Sequence, residues 1–498
     1  MSLIYKNLGD FPVENQNYYS LICFDNDFDT DERAWNPELW ASETLFLLYE
    51  NMVAGRLVHT DFNNEIADFG DTVNTRKPGK FSAKRKGTND DVTIQAATAT
   101  KVPVVLNQHV HTSFMIRDGE ESRSMVNLQE EYLAPAAASL AEHIDKILLG
   151  QVYQYLDNTV GDLGEINSTA GDAHNAKSLM LKARNVMNKN NCPMAGRRMI
   201  LTNDTETEAL ALELFISAEK VGDGGTALEE AALGRKLGFD TYACQNMSSV
   251  TDTGVVDADD ATALAVGDLT FTSDGAAGAG YVAGQYIYFV DGTTATLFDK
   301  MPHRITDISG DVVTFDRPIR VAMPSANNDV YLVPMADVAL TEHAAAGGPA
   351  AYPKDYDKEI WVDGTGVPQV GQLCSFNNGA TLLDAEYCII KVETGGAGYA
   401  ITLDRPLEAA IANDYTVGLG PGGEYNFAFT RNALTLVNRP LALPKAGTGA
   451  LAGIASYEGL SMRITITYQG VGQGHLVTCD LLCGVKVLDE DQGAVMIG

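Results

Sequence analysis

Long apolar runs are missing from this chain. Nothing approaches the roughly eighteen residues of a membrane span, and the opening MSLIYKNLGDFPVENQ has no basic segment followed by an apolar core. No membrane partner is expected, and synthesis and action in a cytoplasm are. Positive charge is also scarce: 35 Lys and Arg stand against 66 Asp and Glu, a net charge of −31. Such a balance argues against a protein whose main task is to grip phosphates, so contact with nucleic acid should be weak and local. The seven cysteines are odd in number and scattered, which fits reduced thiols better than a disulfide framework. Cys479 and Cys483 form the only close pair, and without a second pair they do not make a zinc site.

Catalytic signatures are absent too. There is no G-x-S-x-G elbow, H-E-x-x-H helix, G-x-G-x-x-G turn or Walker loop, and VGDGG at 221–225 lacks the G-K-[ST] ending of a phosphate loop. The run Asp25, Asp27, Asp29, Asp31, Glu32 begins like a calcium loop, but Thr30 stands where that loop needs Gly and Asn36 where it needs a bidentate Glu. His109 and His111 share one face of an expected strand and could be two metal ligands, with no third ligand marked. A metal-dependent enzyme built around them stays open as an alternative. No catalytic, cofactor-binding or metal residue is assigned, and an enzyme is not expected.

What is present is length and apolar content: 498 residues, 45% hydrophobic, enough for several cores. Asn127 to Leu156 reads as one helix of roughly 45 Å at 1.5 Å per residue, against a usual helix of about 11 to 12 residues. Asn127 and Glu130 carry a capping-box signature, and Leu133, Ala137, Leu140, Ile144, Ile147 and Leu148 form one apolar stripe. Pro135 removes a backbone donor and is a candidate bend.

Taken in order, residues 1–35 read as an extended acidic arm and 36–65 as a region opened by a helix with Asn36 as N-cap and Pro37 at its first position. Residues 66–112 read as a long two-stranded excursion. Its middle carries Arg76, Lys77, Lys80, Lys84, Arg85 and Lys86 with no acid among them. This is either an ordinary solvated face or a surface that pairs with the acidic arm of a neighbouring copy. Residues 113–165 contain the long helix, and 166–248 is mixed: a helix near 173–188, the strand RRMILT from Arg197, and a helix from about Asp204 to Ser217.

From about Ser249 to Gly422 the chain turns rich in Gly, Ala, Thr, Val and Asp, with short alternating strands, as an inserted all-β region. It contains a repeat. Gly284-Gln285 recurs as Gly371-Gln372, displaced by 87, and Asp316-Arg317-Pro318 as Asp404-Arg405-Pro406, displaced by 88. Two tandem barrel or sandwich modules follow, 249–353 with its linker and 354–422. The D-R-P element reads as a turn at a strand end, its Asp and Arg bonding locally. Residues 423–454 return to the mixed region, and 455–498 close the chain with a hairpin whose Met462, Ile464 and Ile466 face inward.

This order of parts resembles the major capsid protein of tailed bacteriophages, with the Hong Kong 97-type fold. It is most similar to the gene 5 type of coat protein of short-tailed Salmonella phages, which carries an insertion domain. FGDTVNTRKPGKFSA looks like the start of that family's E-loop, and Asn127 to Leu156 like the spine helix of its peripheral (P) domain. RRMILTNDTETEAL and GRKLGFDTYACQNM are similar to its axial (A) domain, FTRNALTLVNRPL to the return from the insertion, and SYEGLSMRITITYQG with DLLCGVKVL to the last P-domain strands. The resemblance implies an α+β chain that assembles with itself as hexamers and pentamers into an icosahedral virion shell. It also implies scaffolding and portal proteins as partners, a decoration or cement protein in some relatives, and assembly in the host cytoplasm around DNA. A nanocompartment shell of the same fold, encapsulin-like, is the nearest alternative. The doubled insertion departs from the single one of the family.

Overall fold

The computed structural model describes residues 37–60, 72–77, 81–88, 91–92, 94–95, 100–121, 128–163, 176–212, 233–251, 256–258, 263–273, 281–291, 297–323, 328–339, 351–378, 382–395, 398–413, 415–445, 449–457 and 460–498. The long helix runs Leu128–Gly150 as α-helix and continues as a 3-10 segment over Gln151–Asn158, so the expected single helix changes geometry at Gly150. Asn127 lies outside the described residues. Leu133, Ala137, Leu140, Ile144, Ile147 and Leu148 are all buried, each stabilising the fold by roughly 1.5–3 kcal/mol for the larger side chains. The helix runs on through Pro135, which sits on its exposed side.

Pro37–Asn51 forms the first described helix, and its Trp40, Leu45 and Leu48 join the core under the long helix. Asp145 ties the long helix to the turn that follows Pro37–Asn51: its Oδ2 accepts from the Val53 amide at 2.7 Å and its Oδ1 accepts from the Gly55 amide at 3.1 Å. Asp145 is fully buried; burial pushes its carboxyl up to about 6 against the pull of these amides.

Both helices share a core with a five-stranded antiparallel sheet. Gly474–Val487 is its central strand, flanked by Gln108–Arg117 on one side and by Leu460–Gln469 and Leu434–Arg439 as its other partners, with Leu451–Tyr457 outermost. The closing hairpin is as expected: Arg463 pairs with Asp480 and Tyr468 with His475, while Met462, Ile464 and Ile466 are buried. The excursion beginning at 66 differs in extent. Thr72–Lys77 and Thr100–Val105 pair as a separate two-stranded arm, whereas Gln108–Arg117 crosses the expected boundary at 112 and belongs to the five-stranded sheet, where Val110 and Ile116 are buried. The arm starts where Val105 presses on the sheet. A Cβ on Gly484 would lie 2.2 Å from the Val105 carbonyl oxygen, so only glycine allows that approach.

A second sheet holds, in order, Thr159–Gly161, Gly493–Ile497, Gly423–Thr430, Arg197–Leu201, Phe239–Ala243 and Arg235–Lys236. Helix Ala176–Lys189 packs into its core, and helix Asn203–Ala211 starts at Thr202, whose hydroxyl accepts from the Thr205 amide. The expected continuation of that helix to Ser217 lies largely outside the described residues. Ser249–Val250 pairs with Gly423 and Glu424. The chain therefore leaves this sheet and returns to it at adjacent positions.

Between those points lie two sheets with one strand order. The first runs Thr270–Thr272, Val312–Phe315, Leu297–Ser309, Tyr286–Asp291, Asn328–Leu332, Val256–Ala258. The second runs Ile360–Gly364, Gly398–Leu403, Leu382–Gly395, Leu373–Asn377, Thr416–Leu419, Ala336–Val338, and closes because Ala336–Val338 also pairs with Ile360–Gly364. The boundary expected after 353 is therefore corrected: Ala336–Val338 already belongs to the barrel, since its Val338 fills the barrel core. The matched turns are superposable in their bonds. Gly284 and Gly371 both have positive φ (87° and 86°), the Gln285 side-chain amide donates to Val333 O at 3.1 Å, and that of Gln372 donates to Gly420 O at 2.7 Å.

Replacing Asp145 by Ala leaves two buried amides without their acceptor. A loss of about 1–3 kcal/mol is expected, read as a lower urea midpoint on unfolding of the full chain.

Candidate functional site

The basic residues singled out from sequence are on or near the two-stranded arm. Arg76 and Lys77 end the strand Thr72–Lys77, Lys80 lies outside the described residues, and Lys84, Arg85 and Lys86 are exposed in the run that follows. That run is tied to residues 94–95: the Ser82 amide donates to Gln95 Oε1 at 3.1 Å, and Gln95 Nε2 donates back to Ser82 O at 2.5 Å. Beside the cations stand Phe81, Val92 and Ile94, 66%, 72% and 92% exposed. The sequence reading missed these apolar residues because it tracked charge. Asp25, Asp27, Asp29, Asp31 and Glu32 lie outside the described residues.

A second concentration of polar chemistry sits where the long helix meets the closed barrel. A Cβ on Gly150 would fall 2.8 Å from the Asp404 Cβ and 3.0 Å from the Cys388 Cβ, so the helix touches the barrel at backbone distance. Gln151 Nε2 donates to Asp404 Oδ2 at 2.7 Å, Gln108 Nε2 donates to Asp404 O at 2.6 Å, and the Tyr153 hydroxyl donates to Gly371 O. Further on, Arg320 donates to Gly161 O at 2.8 Å and to Asp162 Oδ1 at 3.0 Å, bringing in the first module. The same arginine pairs with Asp299 at 2.7 Å, and His303 lies 3.7 Å from that carboxylate. Burial alone would raise Asp299, but His303 and Arg320 outweigh it and hold the carboxyl at about 2.

The modules meet through buried charge. Arg317 pairs with Asp316 at 2.8 Å and with Glu386 of the barrel, the Tyr286 hydroxyl donates to Glu386 Oε1 at 2.7 Å, and the Ser375 hydroxyl donates to Gly284 O at 2.9 Å. The D-R-P elements bond within themselves, Arg317 to Asp316 at 2.8 Å and Arg405 to Asp404 at 3.0 Å, and across their hairpins, where the Arg304 amide donates to Asp316 Oδ1 at 2.8 Å and the Cys388 amide to Asp404 Oδ1 at 2.9 Å. Each also reaches the next body, Arg317 to Glu386 and Asp404 to Gln151, which repeat matching by itself does not reveal.

His109 and His111 point to one face with ring centroids 6.1 Å apart, and His109 Nε2 lies 3.4 Å from Asp480 Oδ2. Asp480 is already held by Arg463, its Oδ1 3.0 Å from the guanidinium Nε. Among the described residues no group of three or more His, Cys, Asp or Glu is placed to hold a metal. Both histidines border a cavity of about 1060 Å³ between the strand Gln108–Arg117, the long helix and the barrel. Among the described residues six cysteines, Cys479 and Cys483 among them, are buried as free thiols; burial pushes those two up to about 12, so they are packing residues rather than nucleophiles. No described helix is long and apolar enough to cross a membrane.

No family model and no curated protein matches this chain. Among solved structures it is similar to one of Mycobacterium phage Che8, at 12% identity over 89% of this chain and 90% of that one, TM-score 0.40. It is also similar to the capsid structure of the cyanophage P-SCSP1u, at 8% identity over 86% and 84%, TM-score 0.40. A third is the asymmetric unit of the bacteriophage PhiM1 mature capsid, at 7% identity over 86% and 82%, TM-score 0.33.

Two outcomes are expected. Glu386→Gln removes one of the two carboxylates paired with the buried Arg317, leaving Asp316, and should cost about 1–3 kcal/mol, seen as earlier thermal unfolding by scanning calorimetry. The Asp299 carboxyl is depressed, so its contribution is fully present above the unfolded value of 3.8 and is lost as pH falls toward about 2. Asp299→Asn should therefore flatten the acid limb of the stability curve in that window.

Proposed function

We propose that this chain is the major capsid protein of a tailed double-stranded DNA bacteriophage, a structural shell subunit with the Hong Kong 97-type arrangement and two tandem β modules inserted in its A domain. The observation that carries the reading is the two-stranded arm, which presents Phe81, Val92 and Ile94 to solvent beside Lys84, Arg85 and Lys86. A two-stranded ribbon has too little core to be stable alone, and large apolar side chains at such exposure call for a surface to cover them. A second copy of the chain supplies it, and the acidic run Asp25 to Glu32 of that copy supplies the opposite charge.

The remaining features support the same role. The rigid helix with its two attached sheets keeps subunit geometry constant through repeated contacts, as closed symmetric assemblies require. Hexamers and pentamers of the chain would form the shell, co-assembling with scaffolding and portal proteins in the host cytoplasm, with a decoration protein as a further partner. An acidic chain of net charge −31 lets packaged DNA move past without sticking, so its contact with the genome is weak and non-specific. Pro135 is the candidate place for a change in helix bend during shell maturation.

Reversing Lys84, Arg85 and Lys86 to Glu should abolish shell formation while leaving the far-ultraviolet circular dichroism and the unfolding transition of the subunit unchanged. Negative-stain microscopy checks the first, and normal shells from this variant would defeat the pairing.

A further inference from the structure

The long helix meets the barrel in two different ways. At Gly150 the contact is at backbone distance, locked by the Gln151–Asp404 hydrogen bond. Earlier on the same helix, the two bodies face each other across the cavity of about 1060 Å³, with half-buried His143 on the helix wall. We propose that this cavity is a proton-responsive joint: charging His143 drives the barrel wall away from the helix about the Gly150 contact as hinge.

The surrounding charges decide the direction. On the helix, Glu142 is already paired with Lys146 at 2.6 Å. On the barrel, Lys391 is paired with Glu393 and lies 3.9 Å from Glu359, and Arg405 is paired with Asp404 at 3.0 Å and Glu408 at 3.2 Å. Asp357 and Lys358 are exposed at the rim, one of each sign. On the strand side, His109 faces Asp480, which Arg463 already neutralises. A new positive charge on His143 thus meets Lys146 and Lys391 while the carboxylates nearest it are engaged with those cations.

The energetics of His143 follow the same geometry. Burial and Lys146 lower its proton affinity, Glu142 partly restores it, and Lys391 lowers it again. Its folded-state value therefore lies below 6.5, and the closed joint is fully stable above that pH and loses stability as pH falls below it. Opening hydrates the ring and returns its ordinary proton affinity, so acid favours the open form.

Amide hydrogen exchange on the full chain at about pH 7.5 and about pH 5.5, corrected for intrinsic rates, tests this. Peptides covering 139–147 and 384–392 should exchange about threefold or more faster at the lower pH, while Arg197–Leu201 in the second sheet stays unchanged. His143→Gln should abolish the acid response, and His143→Lys should give fast exchange at both pH values. Equal protection of wild type at the two pH values, an undiminished acid response in His143→Gln, or a loss of protection spread over every sheet would each overturn the joint.

Discussion

The contact at Gly150 is the constraint on which the rest of the molecule depends. One helix carries an apolar stripe into the five-stranded sheet and then, within a few residues, presents backbone to Asp404 and Cys388 of the barrel. Its 3-10 continuation brings Tyr153 to Gly371 and Tyr155 to the Ala433 carbonyl at 2.6 Å, and the strand after it starts the second sheet. A side chain at position 150 would separate these bodies. With glycine there, the helix end, both modules and both sheets form one ring of contacts, closed by Arg320 on Asp162 and by Arg317 on Glu386.

The two sheets of matching strand order meet different neighbours through matching residues. The Gly-Gln turn and the D-R-P element lie on the same side of each module. In the first module they face the barrel, through Gly284 on Ser375 and Arg317 on Glu386; in the barrel they face the helix end, through Gly371 on Tyr153 and Asp404 on Gln151. The local bonds are shared, while the partners differ because only the chain connection sets what lies opposite. Buried ion pairs of this kind contribute little net stability over an apolar packing, but a missing partner is costly. They therefore make the relative placement of the bodies specific.

That rigidity gives sense to the exposed arm. The proposed shell role calls for a fixed body and a projecting element whose own chain does not bury it; Phe81, Val92 and Ile94 remain in water while the cores of both sheets, of the six-stranded sheet and of the barrel are closed. The cavity of about 1060 Å³ beside the long helix is where the proposed joint has room to adjust.

Much of this was readable in the residues alone. The helix stripe, the alternation of Met462, Ile464 and Ile466, and the displaced Gly-Gln and D-R-P elements are local periodicities, and local periodicity follows from side chains repeating against one buried face. The boundary between modules was misplaced because Ala336–Val338 earns its position only by pairing with strands on both sides. The end of the α-helix at Gly150, the joining of Gln108–Arg117 to the main sheet, the exposure of Phe81 and Ile94, and the meeting of His143 with Lys391 share one cause. Each depends on residues far apart in the chain, and no window of sequence contains both sides of such a contact. Periodicity settled which elements exist; tertiary packing settled what they touch, because burial and charge pairing are properties of the neighbour as much as of the residue.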